Sequence, residues 1–123
     1  MRLYGQPYGV SCNPEDAMPK YLIEAHYSAE GLRGLAKDKA TGRQAVIDKA
    51  VTALGGRLES LYYALGETDV FLVCDCPDHI TVAALAFAVS ATGLVRTKTT
   101  ALLTVDEVDA ALAKGVPYRA PGA

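Results

Sequence analysis

Residues 62–76 read Tyr-Tyr-Ala-Leu-Gly-Glu-Thr-Asp-Val-Phe-Leu-Val-Cys-Asp-Cys, and this stretch decides the fold. Two apolar runs rich in β-forming residues flank a short polar break from Gly66 to Asp69. Such a pattern is typical of a β-hairpin with a tight turn. One strand and one helix are predicted before the hairpin, and one helix and one strand after it.

The segment before the hairpin predicts a strand, a short helix and a longer helix. Residues from Lys20 to Tyr27 alternate between apolar and mixed side chains, as in a half-buried strand. Ser28 is a suitable N-cap for a short helix, in which Gly31 is unfavourable. A polar loop is predicted over residues 37–42, followed by a main helix from Arg43 to Leu54.

The segment from the hairpin onward predicts two strands, a buried helix, a last core strand and a terminal helix. The run from Val70 to Cys76 is almost continuously apolar, which predicts a central strand covered on both faces. Asp78 is predicted to cap the next helix, and residues 79–91 are apolar nearly all round, so this helix is expected to be buried on more than one side. A strand is predicted over 94–103, and Thr104 with Glu107 predicts a capping box.

This order of elements predicts an α+β, ferredoxin-like βαββαβ fold with an antiparallel sheet and an added C-terminal helix. Right-handed crossovers place the first and third strands centrally and both core helices on one face. The other face is then open, with Leu22 and Leu72 expected on it. An open apolar face and an all-round apolar helix both predict a homodimer or a higher oligomer.

Bulk properties narrow the class of protein. A chain of 123 residues fits one domain, and a net charge of −2 does not predict a nucleic-acid partner. Three cysteines favour a reducing compartment, so the cytoplasm is the expected location. No membrane segment or signal peptide is expected. Residues 1–17 are predicted to be a flexible N-terminal extension, 18–114 the domain and 115–123 a C-terminal tail.

Four polar residues form the first candidate site. Glu24 and His26 share one face of the first strand, and Arg96 and Lys98 are expected to point the same way from the last strand. A carboxylate beside an imidazole can make His26 a general acid or base, with Glu24 orienting it. The two basic residues would hold a small anionic or carbonyl-bearing ligand. The alternative is a polar network that fixes the register of two subunits without any ligand.

Other chemistry-bearing residues have structural interpretations of their own. Asp69 is expected to accept backbone N–H bonds in the turn or to contact a ligand. Tyr62 and Tyr63 point to opposite faces, so one of them, assigned to Tyr63, is a candidate ligand contact. Cys74 and Cys76 are interpreted as reduced structural cysteines, because the pair supplies too few ligands for a closed zinc site. No metal or cofactor is expected, and His26 and His79 are the only histidines that haem could use.

The chain from Met18 to Lys114 resembles the GYD domain family of small bacterial proteins, which is related to the dimeric α/β-barrel superfamily. The resemblance rests on residues 18–23 (Met-Pro-Lys-Tyr-Leu-Ile), 30–35 (Glu-Gly-Leu-Arg-Gly-Leu), 55–59 (Gly-Gly-Arg-Leu-Glu), Gly66 with Asp69, and 95–104 (Val-Arg-Thr-Lys-Thr-Thr-Ala-Leu-Leu-Thr). Thr68 stands where the family motif has its tyrosine.

The resemblance implies a ferredoxin-like subunit whose open sheet face packs against the open sheet face of another subunit, and it implies no particular chemistry. The wider superfamily includes haem-degrading and cofactor-free monooxygenases and lactone isomerases, and the fold is similar to effector-binding domains of leucine-responsive regulators. We therefore expect a small-molecule-binding or accessory module acting as a homo-oligomer. The alternatives are a cofactor-independent monooxygenase or isomerase with its site in the inter-subunit cleft, and a purely structural assembly module.

Overall fold

The computed structural model describes residues 18–123, so the expectations for residues 1–17 lie outside the described residues. Seven elements follow one another along the described chain. They are β1 (Lys20–Tyr27), α1 (Ala29–Ala53), β2 (Arg57–Tyr63), β3 (Val70–Asp75), α2 (His79–Ser90), β4 (Val95–Leu102) and α3 (Val105–Leu112).

The four strands form one antiparallel sheet in the order β2-β3-β1-β4. The first and third strands are therefore central, and the predicted ferredoxin-like topology with an added C-terminal helix is confirmed. The core lies between the sheet and the first two helices. Its buried members are Tyr21, Ile23, Val51, Leu72, Cys74, Cys76 and Val82.

The register of the strands assigns each side chain to a face, because residues directly opposite each other in neighbouring strands point the same way. Ile23 lies opposite Leu72, and both are buried in the core beneath the helices. The expectation that Leu72 lies on the open face is therefore wrong. Leu22 does lie on the open face, opposite Val73.

Strand β3 is covered on one face only within the subunit. Phe71 points to the open face and is 37% exposed, whereas its neighbours Val70 and Leu72 are buried. The prediction that both faces of this strand are covered is wrong for the single chain. The side chains of this strand alternate between the core and the open face, but its nearly continuous apolar sequence does not show that alternation.

Helix α1 combines the two predicted helices into one element with a kink. Ser28 caps its N-terminus, as predicted, by accepting a hydrogen bond from the backbone N–H of Gly31. The polar loop expected over residues 37–42 is not present; a single non-helical residue, Lys39, interrupts the helix instead. Gly55, with φ +83°, follows the C-terminal end, as the Gly55-Gly56 pair predicted.

Helix α2 packs on the sheet with one face and leaves the opposite face uncovered. Asp78 caps it as predicted, and Val82 is buried beneath it. The outward face carries apolar residues at helical spacing, which we call the α2 stripe. Its members are Ile80, Ala84, Phe87 and Ala88. Burial of this helix on a second side is thus not achieved within the single chain.

The chain after β4 lies on the surface. The predicted capping box of α3 is formed, since Thr104 and Glu107 exchange side-chain-to-backbone hydrogen bonds. Every residue from Leu103 to Ala123 is exposed, including the apolar side chains of α3. Within residues 18–123, none of the helices combines the length and the apolarity that crossing a membrane requires.

Candidate ligand-binding site

The four polar residues predicted on the open face lie side by side across two strands. Glu24 is directly opposite Lys98, and His26 is directly opposite Arg96. The assumed register between β1 and β4 is therefore the observed one. Glu24 and His26 are half-buried, whereas Arg96 and Lys98 are exposed.

Glu24 and His26 are engaged with the hairpin turn. The Nδ1 atom of His26 lies 2.7 Å from the carbonyl oxygen of Glu67, and the hydroxyl of Thr68 donates to Glu24 at 3.3 Å. These contacts hold the turn between β2 and β3 against the end of β1. They account for both side chains without a ligand, and the acid–base role for His26 stays a prediction.

Asp69 is a structural residue of the same turn. Its carboxylate accepts a hydrogen bond from the backbone N–H of Tyr27 at 2.8 Å, and its own N–H donates to the carbonyl of Ala25 at 2.9 Å. Gly66 adopts φ +118°, a conformation that side chains rarely allow. The glycine and aspartate of this motif therefore shape the turn and join it to β1.

The two adjacent tyrosines point to opposite faces, as predicted. Tyr62 lies on the open face and is 71% exposed, whereas Tyr63 lies on the helix face opposite Val70. Burial and a hydrogen bond with the Tyr27 side chain raise the pKa of Tyr63 to about 12. Tyr63 is therefore a neutral hydrogen-bonding group at physiological pH.

A cavity of about 320 Å³ lies between α1, α2 and the beginning of β4. Small residues create the space: α1 contributes glycine and alanine here, and a Cβ atom built on Gly34 would have no neighbour within 4 Å. Most of the wall is apolar. It includes Leu35, Ala50, Leu85, Ala88, Val89, Leu94 and Val95.

Four polar side chains, those of Tyr27, Asp38, Arg43 and Thr92, line this helix-side cavity. Arg43 and Asp38 face each other across the kink of α1, with their Nη1 and Oδ2 atoms 3.6 Å apart. Tyr27 reaches the cavity from the end of β1. One cation and one phenol, beside Asp38 and Thr92 in an otherwise apolar wall, can orient a small ligand that has an apolar body and an anionic or carbonyl end.

A smaller cavity of about 60 Å³ lies deeper, beneath the helices. It shares Tyr27, Arg43, Leu85, Val89 and Val95 with the helix-side cavity. Its floor is formed by core residues of the sheet such as Ile23 and Leu72. The two cavities are therefore neighbours, and the deeper one lies against the core.

The pair Cys74 and Cys76 belongs to the core. Both side chains are buried, and their Sγ atoms lie 3.9 Å apart as free thiols. Burial raises the pKa of Cys74 to about 12 and also raises the pKa of Cys76. Over residues 18–123, no group of three or more potential ligands is arranged to hold a metal ion.

Asp75 forms a buried ionic cluster that the sequence did not predict. Its carboxylate accepts hydrogen bonds from Lys20 Nζ at 2.8 Å and from Arg57 at 2.8 and 3.2 Å. Lys20 also pairs with Glu59. Burial by itself lowers the pKa of Lys20, but the bonds to Asp75 and Glu59 outweigh it and raise that pKa. The cluster ties β1, β2 and β3 together at the end of β1 away from Tyr27.

Sequence reasoning did not identify Arg43, Asp38 and Tyr27 as polar groups of the helix-side cavity, and its own candidate ligand contacts stay predictions. Arg43 was interpreted as the first residue of a helix, and Asp38 as part of a loop. The available signal was Gly34, whose missing side chain leaves open space in the cavity wall. Tyr63, which was a candidate, hydrogen-bonds the cavity residue Tyr27.

Comparison with known proteins gives a family match and one structural likeness. The family model described as "GYD domain" matches residues 21–112. The chain is also similar to the crystal structure of the Mycobacterium tuberculosis leucine response regulatory protein LrpA, with 17% sequence identity and a TM-score of 0.48. That likeness covers 85% of this chain and 64% of the regulator, so the chain spans less than two-thirds of the regulator's length. A search of the curated proteins finds no match.

Proposed function

The chain belongs to the GYD domain family, and from that premise we propose that it is a self-associating module that binds a small ligand in the helix-side cavity. The ligand is a compact molecule with an apolar body and a carboxylate or another anionic end. The observation that carries this proposal is the cavity itself, with Arg43 in an otherwise largely apolar wall.

The size of the cavity supports a small-molecule ligand. Ligand pockets in proteins range from about 300 to about 1,000 Å³ and are lined mainly by apolar side chains with a few polar groups. The helix-side cavity, at about 320 Å³, falls at the lower end of this range. A monocyclic aromatic acid or a short fatty acid is therefore a better match than a nucleotide or a haem.

The charge of the cavity supports an anionic end. The guanidinium group of Arg43 has five donors in a planar arrangement, so it can keep its contact with Asp38 and still bind a carboxylate. The Arg43 side chain is partly buried, which strengthens a charge-assisted hydrogen bond relative to one in open water. The hydroxyl group of Tyr27 can donate to the second oxygen of the ligand.

Two uncovered apolar surfaces support self-association. The open sheet face carries Leu22, Phe71 and Val73, and the α2 stripe carries Ile80 and Phe87, which are 70% and 74% exposed. A soluble monomer seldom exposes contiguous apolar surface of this kind. A second copy of the chain that covers the open sheet face would remove the larger part of it.

Native mass spectrometry of the untagged protein tests both parts of the proposal. We expect a dimer or a larger complex, together with added mass wherever the protein retains its ligand through purification. A monomer at micromolar concentration would contradict the proposed self-association, whatever the state of the cavity.

Calorimetric titration with benzoate and with octanoate tests the cavity separately. We expect binding to the wild-type protein and a loss of about tenfold or more in Arg43→Met, which removes the charge but keeps much of the apolar stem. Arg33→Met is the matched control, because Arg33 is exposed on α1 and does not line the cavity. Equal affinity in the wild type and Arg43→Met, or no binding of either acid to the wild type, would refute the proposed site.

A further inference from the structure

The terminal helix α3 has the composition of a docking element and no cover. Val105, Val108 and Leu112 are 80%, 40% and 76% exposed. At about 100° per residue these three side chains lie within one stripe along the helix. Isolated helices shorter than about 12 residues are marginal in water, so a helix of 8 residues needs a surface to pack on.

The two aspartates of α3 follow one edge of this stripe, whereas Glu107 lies on another side of the helix and belongs to the capping box. Asp109 is next to Val105 and Leu112 on the helical wheel, and Asp106 lies further around on the same side. Within residues 18–123, neither aspartate forms an ion pair. The helix therefore presents an apolar strip with unpaired negative charge along one side.

The open sheet face has the complementary arrangement. Leu22 from β1 and Phe71 and Val73 from β3 form an apolar patch on it, beside the half-buried Glu24 and His26 of β1. Along its β4 edge, Arg96 and Lys98 are exposed and have no acidic partner in an ion pair among residues 18–123. Neighbouring strands are about 4.8 Å apart, so a helix about 10 Å wide lying over β1 reaches both the apolar patch and the basic edge.

We infer that α3 of each subunit packs across the open sheet face of a second copy of this chain, with Asp106 and Asp109 paired to Arg96 and Lys98 of that copy. The inference rests on the proposed self-association and names the segment that produces it. A second copy is the occupant because α3 is exposed rather than folded onto its own sheet, and only two residues, Leu103 and Thr104, connect it to β4. In that case the anionic groups bound by Arg96 and Lys98 are carboxylates of the protein itself rather than of the predicted small ligand.

Reciprocal charge reversal in the full chain tests this contact. One variant carries Arg96→Glu and Lys98→Glu, and the other carries Asp106→Lys and Asp109→Lys. Each variant alone brings like charges together, so we expect each to self-associate about tenfold or more weakly than the wild type. In an equal mixture the acidic helix meets the original basic edge and the reversed helix meets the reversed edge. Native mass spectrometry should therefore detect the mixed complex at close to the wild-type affinity.

The controls separate this contact from a general effect of net charge. Arg33→Glu with Lys37→Glu changes the net charge as much as Arg96→Glu with Lys98→Glu does, but at exposed positions of α1. It should leave self-association unchanged. If both reversal variants self-associate as strongly as the wild type, the α3 contact is wrong, but the proposed oligomer is not contradicted. Weakened variants that do not recover on mixing would also overturn it, because they would show that α3 acts within its own subunit. A monomeric wild type would overturn both proposals.

Discussion

At the scale of single residues, Gly31 and Gly34 show that two glycines of one helix can have opposite roles. A Cβ atom on Gly31 would lie 2.3 Å from the backbone oxygen of Leu94, which also accepts a hydrogen bond from Ser28. Gly31 therefore permits the close approach of α1 to the segment before β4. Gly34 is helical, and a Cβ atom placed on it would meet open space.

These two positions give a matched pair of substitutions. Gly31→Ala should lower the free energy of unfolding by about 1–3 kcal/mol, because the backbone of α1 or of Leu94 must move. Gly34→Ala should raise it by about 0.4–1 kcal/mol, since alanine restricts the unfolded chain and favours the helix. Urea denaturation measures both values. Equal effects of the two substitutions would contradict the close approach at Gly31.

The buried thiols predict a loss of stability in alkaline solution. The pKa of Cys74 is about 12 in the folded protein, against 9.0 for an unperturbed thiol, because burial disfavours the thiolate. Between these two pH values the unfolded chain releases the proton and the folded chain keeps it. Stability is therefore complete below about pH 9 and falls by about 1.4 kcal/mol per pH unit for this group above it.

The measurement is the free energy of unfolding at several pH values for the wild type and for Cys74→Ala. The substitution should reduce the alkaline slope, whatever constant loss of packing it causes. In a Cys12→Ser background, the thiols at 74 and 76 should also react with a thiol reagent only after unfolding, since both are fully buried. Rapid labelling of the native protein near neutral pH would show that the segment opens readily.

At the scale of secondary-structure elements, the kink in α1 places a strained residue beside the cavity. Lys39 has φ +66° and ψ +161°, a region that is essentially restricted to glycine. The residues on either side of it, Asp38 and Arg43, form the ion pair at the cavity. The kink thus sets the position of Arg43, which we propose to bind the ligand, relative to Asp38.

Replacing Lys39 with glycine should stabilise the protein. The strain of a side chain in this region is about 1–3 kcal/mol, so Lys39→Gly should raise the free energy of unfolding by about 1 kcal/mol or more. Ala40→Gly is the control, and it should lower stability by about 1 kcal/mol because that position is helical and exposed. Thermal and urea denaturation measure both. If Lys39→Gly lowers stability instead, the lysine side chain makes a contact whose stabilising free energy exceeds the strain energy of the backbone.

The elements show which features the sequence could predict. Period-two alternation placed β1 at Lys20–Tyr27, and the capping residues Ser28, Asp78 and Thr104 are as predicted, because these signals are local. The prediction of a loop over residues 37–42 was wrong because polar composition does not distinguish a loop from a solvent-exposed helix. Leu72 was placed on the wrong face because a fully apolar strand has no visible alternation.

Predicting the whole candidate site would have required contacts between distant parts of the chain, which local sequence patterns do not reveal. The cross-strand neighbours of Glu24 and His26 could be predicted, since topology and alternation together fix which strand faces which. The helix-side cavity could not, because Tyr27, Arg43 and Leu85 come from three elements that are distant in sequence. Part of its volume follows from the absence of a side chain at Gly34, where a Cβ atom would meet open space, and a missing side chain produces no periodic pattern in the sequence.

At the scale of the whole molecule, the uncovered surfaces imply that stability depends on protein concentration. If the folded chain is a dimer, each tenfold rise in concentration stabilises it by about 1.4 kcal/mol, which corresponds to about 3–5 °C in Tm for a complex of this size. A monomeric fold has no such dependence. Differential scanning fluorimetry from about 1 to about 100 µM distinguishes the two cases.

A charged side chain on the open face should remove the dependence of Tm on protein concentration without unfolding the subunit. Phe71 points out of the sheet and is 37% exposed, so Phe71→Asp leaves the core between sheet and helices intact. In a dimer the new carboxylate would be buried in an apolar contact, which is strongly unfavourable. We expect a folded variant, judged by its circular dichroism, whose Tm is lower and constant with concentration. Phe87→Asp on the α2 stripe is the comparison. If the Tm of Phe87→Asp does not depend on concentration and that of Phe71→Asp does, then the principal contact between subunits lies on α2 and not on the sheet face.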